Sequence, residues 1–154
     1  MKIIFLIIIM LCFIYIGFSI SEGHKKKTLY IYDFKNFLVF AKSNISYNFL
    51  AVNDIVKNYN FSSYELKLDI TKCLNGNKSD YFFDLFLSNE KVCIKSFFDN
   101  FGKKDFQETI NLINITMTES TSIYDNLIKN SAKNTILPLK LLIYLGAVIC
   151  ILLV

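Results

Sequence analysis

A long apolar segment at each end of the chain is the feature that most constrains its fold. Residues 1–20 contain a single charge, Lys2, residues 141–154 contain none, and every other charged residue lies between them. A helix needs about 20 apolar residues to cross the hydrocarbon core of a bilayer. The second segment reaches that length when it is extended back through Lys140, because this long side chain can reach the lipid headgroups. The sequence therefore predicts a transmembrane helix at each end.

The lysines beside the two apolar segments predict the topology of the chain. Residues 1–21 are expected to form the N-terminal membrane helix, residues 136–154 the C-terminal one, and residues 22–135 the domain between them. Lysines that flank a membrane span tend to stay in the cytoplasm. We therefore expect the central domain to face the cytoplasm, with the lipid bilayer as a partner of the chain. The predicted membrane-flanking residues are Lys25, Lys26, Lys27, Lys129, Lys133 and Lys140.

The N-terminal segment has a second interpretation, as a cleaved signal peptide. Ser19 and Ser21 are small enough to flank a cleavage site. The distribution of charge favours a retained helix, because only Lys2 precedes the apolar run whereas three lysines follow it directly. Cleavage stays open as the alternative.

The composition argues against several classes of function. All 17 basic residues are lysine and the formal net charge is +4, which attraction to anionic lipid headgroups explains without nucleic acid. The one histidine, His24, has no visible nucleophile to activate, and no C-x-x-C pair is present. Asp80 and Asp84 lie one helical turn apart, and we expect them to cap a helix and face water rather than bind a metal. No enzymatic activity and no cofactor are expected.

The central domain is predicted to be all-α, an antiparallel helical bundle. The chain has only 5 glycines and 1 proline in 154 residues, and its apolar residues recur at helical spacing. Leu66, Ile70 and Leu74, for example, follow one another in steps of four, behind a possible cap at Ser62 or Ser63. The first helix expected here covers residues 29–43 and continues from the N-terminal apolar segment. The others are residues 45–56, 64–74, 81–87, 89–100 and 106–133.

The clearest local pattern is the turn between the last two of these helices. Gly102 is expected to end the first helix in the left-handed conformation. Asp105 is expected to cap the second, with Glu108 three residues later as its partner in a capping box. The second helix then carries an apolar stripe in steps of three and four, formed by Phe106, Ile110, Ile113, Met117, Ser120, Tyr124 and Leu127. We interpret this stripe as the spine of the bundle.

Three stretches of the chain carry a resemblance to a known family. They are Ile16-Gly17-Phe18 near the end of the first apolar segment, the turn Phe98-Asp99-Asn100-Phe101-Gly102-Lys103-Lys104-Asp105, and Leu145-Gly146 with the apolar residues that follow it. Their order and spacing cover most of the chain and resemble the stage III sporulation protein AB family of endospore-forming bacteria. Members of that family have an N-terminal span, a cytosolic helical bundle similar to type II secretion inner-membrane platform domains, and a C-terminal span.

The resemblance implies a structural role in endospore formation. The chain would be a non-enzymatic component of the channel between mother cell and forespore, a secretion-like apparatus. Its bundle would face the cytoplasm from the mother-cell membrane. The implied partners are a secretion-type ATPase and other stage III sporulation channel proteins.

A different class of protein fits the C-terminal residues as well. Residues 130–132 are small or permissive, and a polar spacer and an apolar tail follow them, as in the signal for attachment of a GPI anchor. Combined with a cleaved N-terminus, this pattern would give a small secreted surface protein. Cys73 and Cys93 are the only cysteines outside the apolar ends, and they would then form one disulfide.

Overall fold

The computed structural model describes residues 2–76 and 86–153, and every regular element in this part of the chain is a helix. The prediction of an all-α protein is therefore confirmed. The helices are α1 (Lys2–Asn48), α2 (Val52–Asn58), α3 (Tyr64–Leu74), α4 (Ser88–Asn100), α5 (Phe106–Lys129) and α6 (Ser131–Leu153).

The helices divide into two compact units. We call Met1–Lys26 together with Leu127–Val154 the terminal unit, and Lys27–Asn126 the central unit. The two apolar segments of the sequence thus belong to one unit, and the predicted bundle helices to the other.

Two of the helices, α1 and α6, contain the segments that the sequence predicts to span a membrane. Within residues 2–76 and 86–153, no helix has both the length and the apolar character that crossing a bilayer requires.

The core of the central unit is built on one face of α1. Its fully buried side chains follow one another mainly in steps of three and four, which places them on one side of the helix. They are Tyr30, Ile31, Phe34, Phe37, Leu38 and Ala41. The ring of Phe34 lies edge-on to that of Phe97, with centroids 5.2 Å apart, and Phe97 stacks on Phe101 at 4.6 Å. Aromatic contacts of this kind contribute about 0.5–1.5 kcal/mol each beyond the burial of area.

The predicted helix over residues 45–56 is wrong, because α1 continues to Asn48 and a new helix starts after a break. Phe49 lies in the break with a φ of +51°, and the N–H of Leu50 donates to the carbonyl of Asn44 at 3.3 Å. The side-chain amide of Asn48 also donates to that of Asn44, at 2.9 Å. Asparagine side chains compete with helical backbone bonding, so a pair of them favours a helix end.

The third helix has the bounds that the sequence pattern predicts. Ser63 is its N-cap, and the hydroxyl oxygen accepts a hydrogen bond from the N–H of Leu66 at 3.3 Å. α4 begins one residue before its expected start. Residues 81–85 of the expected helix over 81–87, and its expected cap Asp80, lie outside the described residues.

The fifth helix is shorter than expected and buries a more polar face. It ends at Lys129 rather than near residue 133, and its buried residues are Thr109, Ile113, Thr116 and Ser120. Ile113 and Ser120 belong to the predicted stripe, whereas Phe106 is 45% exposed. Threonine can occupy this face because the Thr116 hydroxyl donates to the carbonyl of Leu112, 2.8 Å away on its own helix.

Asp33 is a carboxylate on the buried face of α1. One of its oxygens accepts a hydrogen bond from the Tyr59 hydroxyl at 2.9 Å, and the other accepts from the N–H groups of Ser62 and Ser63 at 2.9 and 2.8 Å. The residue is only 1% exposed, so these bonds replace its lost hydration. They hold the segment that leads into α3 against α1.

We expect replacement of Asp33 by alanine to destabilise the protein by about 3 kcal/mol, because three donors lose their buried acceptor. Chemical denaturation followed by circular dichroism measures this change. Asp54→Ala is the matched control, since Asp54 is exposed in the first turn of α2 and should contribute less than about 1 kcal/mol. Equal losses for the two variants would contradict the proposed role of Asp33.

Candidate functional site

The terminal unit exposes large apolar side chains and buries small ones. Gly17 and Gly146 are buried. The exposed apolar side chains on α1 include Ile7, Ile8, Leu11, Ile14, Tyr15, Ile16, Phe18 and Ile20, and those on α6 include Leu137, Leu141, Tyr144, Leu145, Val148 and Ile151. Most described phenylalanines of the central unit have the opposite arrangement. Phe49 and Phe106 are exposed, whereas the buried ones are Phe34, Phe37, Phe86, Phe97, Phe98 and Phe101. Exposed apolar side chains in this number are typical of a protein or membrane interaction site.

Gly146 lies where α6 comes close to the N-terminal part of α1. A Cβ atom added to this glycine would meet Met10 Sδ at 3.1 Å and Phe13 Cδ2 at 3.2 Å. Both distances are shorter than ordinary van der Waals contact, so the side chains of Met10 and Phe13 would have to shift by a few tenths of an ångström to admit even a methyl group. Small residues at the contact and large ones outside are characteristic of helices that pack within lipid.

The six predicted membrane-flanking lysines occupy different environments. Lys25 and Lys26 are exposed in α1, and Lys26 lies 3.5 Å from the carboxylate of Glu22. Lys129 and Lys140 are also exposed. The side chain of Lys133 lies outside the described residues.

Lys27 differs from its neighbours because it is buried, with 7% of the residue exposed. Its ammonium lies 2.6 Å from Glu90 Oε2 and 5.1 Å from the centre of the Phe86 ring. The same Glu90 oxygen accepts a hydrogen bond from the N–H of Leu87 at 2.8 Å. Lys27 therefore links α1 to the start of α4, and its charge is neutralised within the central unit.

We expect a double-mutant cycle on Lys27→Met and Glu90→Gln to give a coupling free energy of about 1–3 kcal/mol, because each single change leaves a buried charge without its partner. Denaturation of the four proteins measures the coupling. The exposed pair Lys104–Glu108, at 3.7 Å, is the control and should give less than about 0.5 kcal/mol. A coupling no larger than that of the control would show that the buried pair is not a structural link.

A second buried polar pair joins α1 to α3. The Tyr30 hydroxyl donates a hydrogen bond to Asp69 Oδ2 at 3.0 Å, and both residues are almost completely buried. Asp69 Oδ1 has no hydrogen-bond partner among the described residues. Burial raises the pKa of the Asp69 carboxyl, while the Tyr30 hydrogen bond and the charge of Lys72 act in the opposite direction. Burial and the charge of Asp69 raise the pKa of Tyr30, which keeps its hydroxyl a donor.

The raised pKa of Asp69 predicts how stability depends on pH. The pKa of this carboxyl is higher in the folded protein than in the unfolded chain, so folding favours its protonated form. The resulting stabilisation is fully present below the unfolded pKa and is lost as the pH rises through the folded pKa. Asp69→Asn does not titrate and still offers Tyr30 an acceptor. We expect this variant to be more stable than the native protein at pH 7, and the difference to close below about pH 4.

Thermal unfolding at pH 4, 5, 6 and 7 measures this effect. Asp54→Asn is the control, because it makes the same chemical change at an exposed aspartate. A stability difference between native and Asp69→Asn protein that stays constant from pH 4 to 7 would contradict the prediction.

The two cysteines of the central unit are free thiols rather than a disulfide. The Cys73 thiol donates a hydrogen bond to the carbonyl of Phe98, and burial raises its pKa. Burial and a hydrogen bond with Glu119 raise the pKa of Cys93 to about 12. The disulfide that the secreted-protein alternative requires is not formed in this structure, in which each thiol has its own separate environment.

The remaining sequence candidates add no chemical centre in the described part of the chain. Gly102 has a φ of +82°, and Asp105 Oδ1 accepts a hydrogen bond from the N–H of Glu108 at 2.8 Å, so both residues form the turn before α5. Asp80 and Asp84 lie outside the described residues. Among residues 2–76 and 86–153, no three histidine, cysteine or acidic side chains come together as a metal site.

Sequence reasoning missed three acidic residues that organise the central unit: Asp33, Asp69 and Glu90. A local signal existed for Asp33, which lies three residues after Tyr30 and four before Phe37 and therefore shares the apolar face of a helix with them. A charge at such a position is normally paired. The pattern shows that a partner exists but not which residue supplies it.

Comparison with protein-family models, with curated proteins and with solved structures gives no match for this chain.

Proposed function

We propose that the chain is a membrane-attached docking protein without catalytic activity. The terminal unit holds it at a lipid bilayer, and the helical central unit binds partner proteins. The observation that carries the proposal is the reversed packing of the terminal unit, in which glycines are buried and large apolar side chains face outward.

The number of exposed apolar side chains on the terminal unit supports the proposal that lipid covers them. A side chain of the size of leucine, isoleucine or phenylalanine gains about 1.5–3 kcal/mol when it leaves water completely. Leu11 and Phe18 are 59% and 61% exposed, and Tyr144 and Ile151 are 68% and 75% exposed. The free energy gained when these and the neighbouring side chains enter lipid would be much larger than the contribution of any single side chain.

The form of attachment that the sequence predicts is two crossings, by residues 1–21 and 136–154, with residues 22–135 in the cytoplasm. The exposed lysines Lys25, Lys26 and Lys129 fit this form, because each lysine near an anionic surface contributes about 1 kcal/mol. Lys27 does not contribute, since its charge is paired with Glu90.

The resemblance to the stage III sporulation protein AB family supplies a biological setting for this proposal. In that setting the chain belongs to the channel between mother cell and forespore, and its central unit docks a secretion-type ATPase and other channel proteins. The all-helical fold is compatible with the family's bundle. This setting and these partners stay predictions.

Flotation with anionic lipid vesicles tests the attachment. We expect the native protein to float with the vesicles, and the variant Leu11→Lys/Phe18→Lys to bind at least about tenfold less, because two charges would enter lipid. Val39→Lys/Val92→Lys is the matched control, since both valines are exposed in the central unit, and it should float like the native protein. Equal flotation of the two double variants would refute the role of the terminal unit.

Labelling with a membrane-impermeant maleimide tests which side the central unit faces. Cys73 and Cys93 are poor reporters because one is hydrogen-bonded and the other buried, so Ser96→Cys supplies an exposed thiol in α4. We expect this thiol to react only after the cells are opened. Reaction in intact cells would place the central unit outside and would contradict the cytoplasmic docking role.

A further inference from the structure

A cleft of about 460 Å³ lies between α2 and α3 in the central unit. Its apolar lining consists of Val56, Tyr59, Phe61 and Leu74, all of which are partly exposed. This volume falls in the range of known ligand sites, which are concave and largely apolar with a few polar groups that set specificity.

The aromatic lining of the cleft is held in place by the core beneath it. Tyr59 donates its hydroxyl hydrogen bond to Asp33, and its ring lies edge-on to that of Phe61 with centroids 4.8 Å apart. Phe61 in turn stacks on the buried ring of Phe37 at 5.6 Å. Because these rings are fixed before anything binds, the cleft would lose little side-chain freedom on binding.

The charged groups on the cleft have one sign. Lys57 lies in the last turn of α2 and Lys67 in α3, and both are exposed at the cleft. The other described polar residues that line it are neutral, and no carboxylate is among them. The Asp33 carboxylate, which accepts the Tyr59 hydrogen bond, is only 1% exposed and does not line the cleft.

We propose that this cleft binds an acidic segment of a partner protein. An apolar side chain of the segment would insert against Tyr59 and Phe61, while its carboxylates pair with Lys57 and Lys67. Charge complementarity of this kind sets the specificity and the rate of association. The proposal rests on the docking function of the central unit and names the chemistry that the unit recognises.

A fluorescent amphipathic peptide with glutamates on one helical face and leucines on the other is the probe. Anisotropy is measured with the full chain in detergent micelles, and the same peptide with lysine in place of glutamate is the comparison. We expect saturable binding of the acidic peptide and at least about tenfold weaker binding of the basic one. Lys57→Glu/Lys67→Glu should reverse this preference, because it exchanges the sign of the cleft.

Two further variants separate the cleft from general electrostatic attraction. Thr71→Trp narrows the cleft without changing its charge and should also weaken the acidic peptide about tenfold, since Thr71 lines the cleft on α3. Lys95→Glu makes the same kind of charge change on an exposed lysine of α4 that does not line the cleft, and should leave binding of the acidic peptide within about twofold of native.

The proposal is overturned if the acidic peptide does not bind saturably or if both peptides bind equally. It is also overturned if the Lys95 variant loses as much affinity as the Lys57/Lys67 variant. Vesicle flotation distinguishes its failure from failure of membrane attachment, because the cleft variants should float like the native protein. If the Lys57/Lys67 variant instead loses flotation and keeps the acidic peptide, the cleft binds lipid headgroups and the proposal is wrong.

Discussion

The buried carboxylate of Asp33 is the interaction on which the arrangement of the central unit depends. It accepts hydrogen bonds from Tyr59 and from the two backbone N–H groups that precede α3. Tyr59 lies within ring-contact distance of Phe37, Phe40 and Phe61, so the carboxylate also fixes part of the aromatic core. A buried charge is costly unless it has hydrogen-bond partners. The segments that supply donors to Asp33 therefore have few alternative positions.

The polar contacts of α1 give the bundle a register that apolar packing alone would not specify. Asp33 sets the start of α3, the hydroxyl of Tyr30 bonds with Asp69 farther along the same helix, and Lys27 pairs with Glu90 in α4. Phenylalanine cores tolerate several packings of similar energy, whereas a buried charge has few acceptable partners. We therefore infer that these three contacts select one arrangement of the helices more than they add to the net stability of the fold.

The parts of the fold that could be predicted from the sequence are those with local causes. The bounds of α3 follow from its serine cap and four-residue repeat, and the turn before α5 follows from a glycine and an aspartate at fixed spacing. The break at Phe49 and the burial of Thr116 depend instead on residues brought together by folding. Lys27 was grouped with two exposed lysines because its partner lies 63 positions away in the sequence.

The polar face of α5 makes this helix less strongly held in the central unit than α1. Thr109, Thr116 and Ser120 release little free energy when they leave water, and the Ser120 hydroxyl has no hydrogen-bond partner among the described residues. The buried face of α1, in contrast, is made largely of aromatic and aliphatic side chains. Burial of the polar residues of α5 thus contributes less free energy than burial of the α1 face, and we expect α5 to be the helix of the central unit that opens most easily.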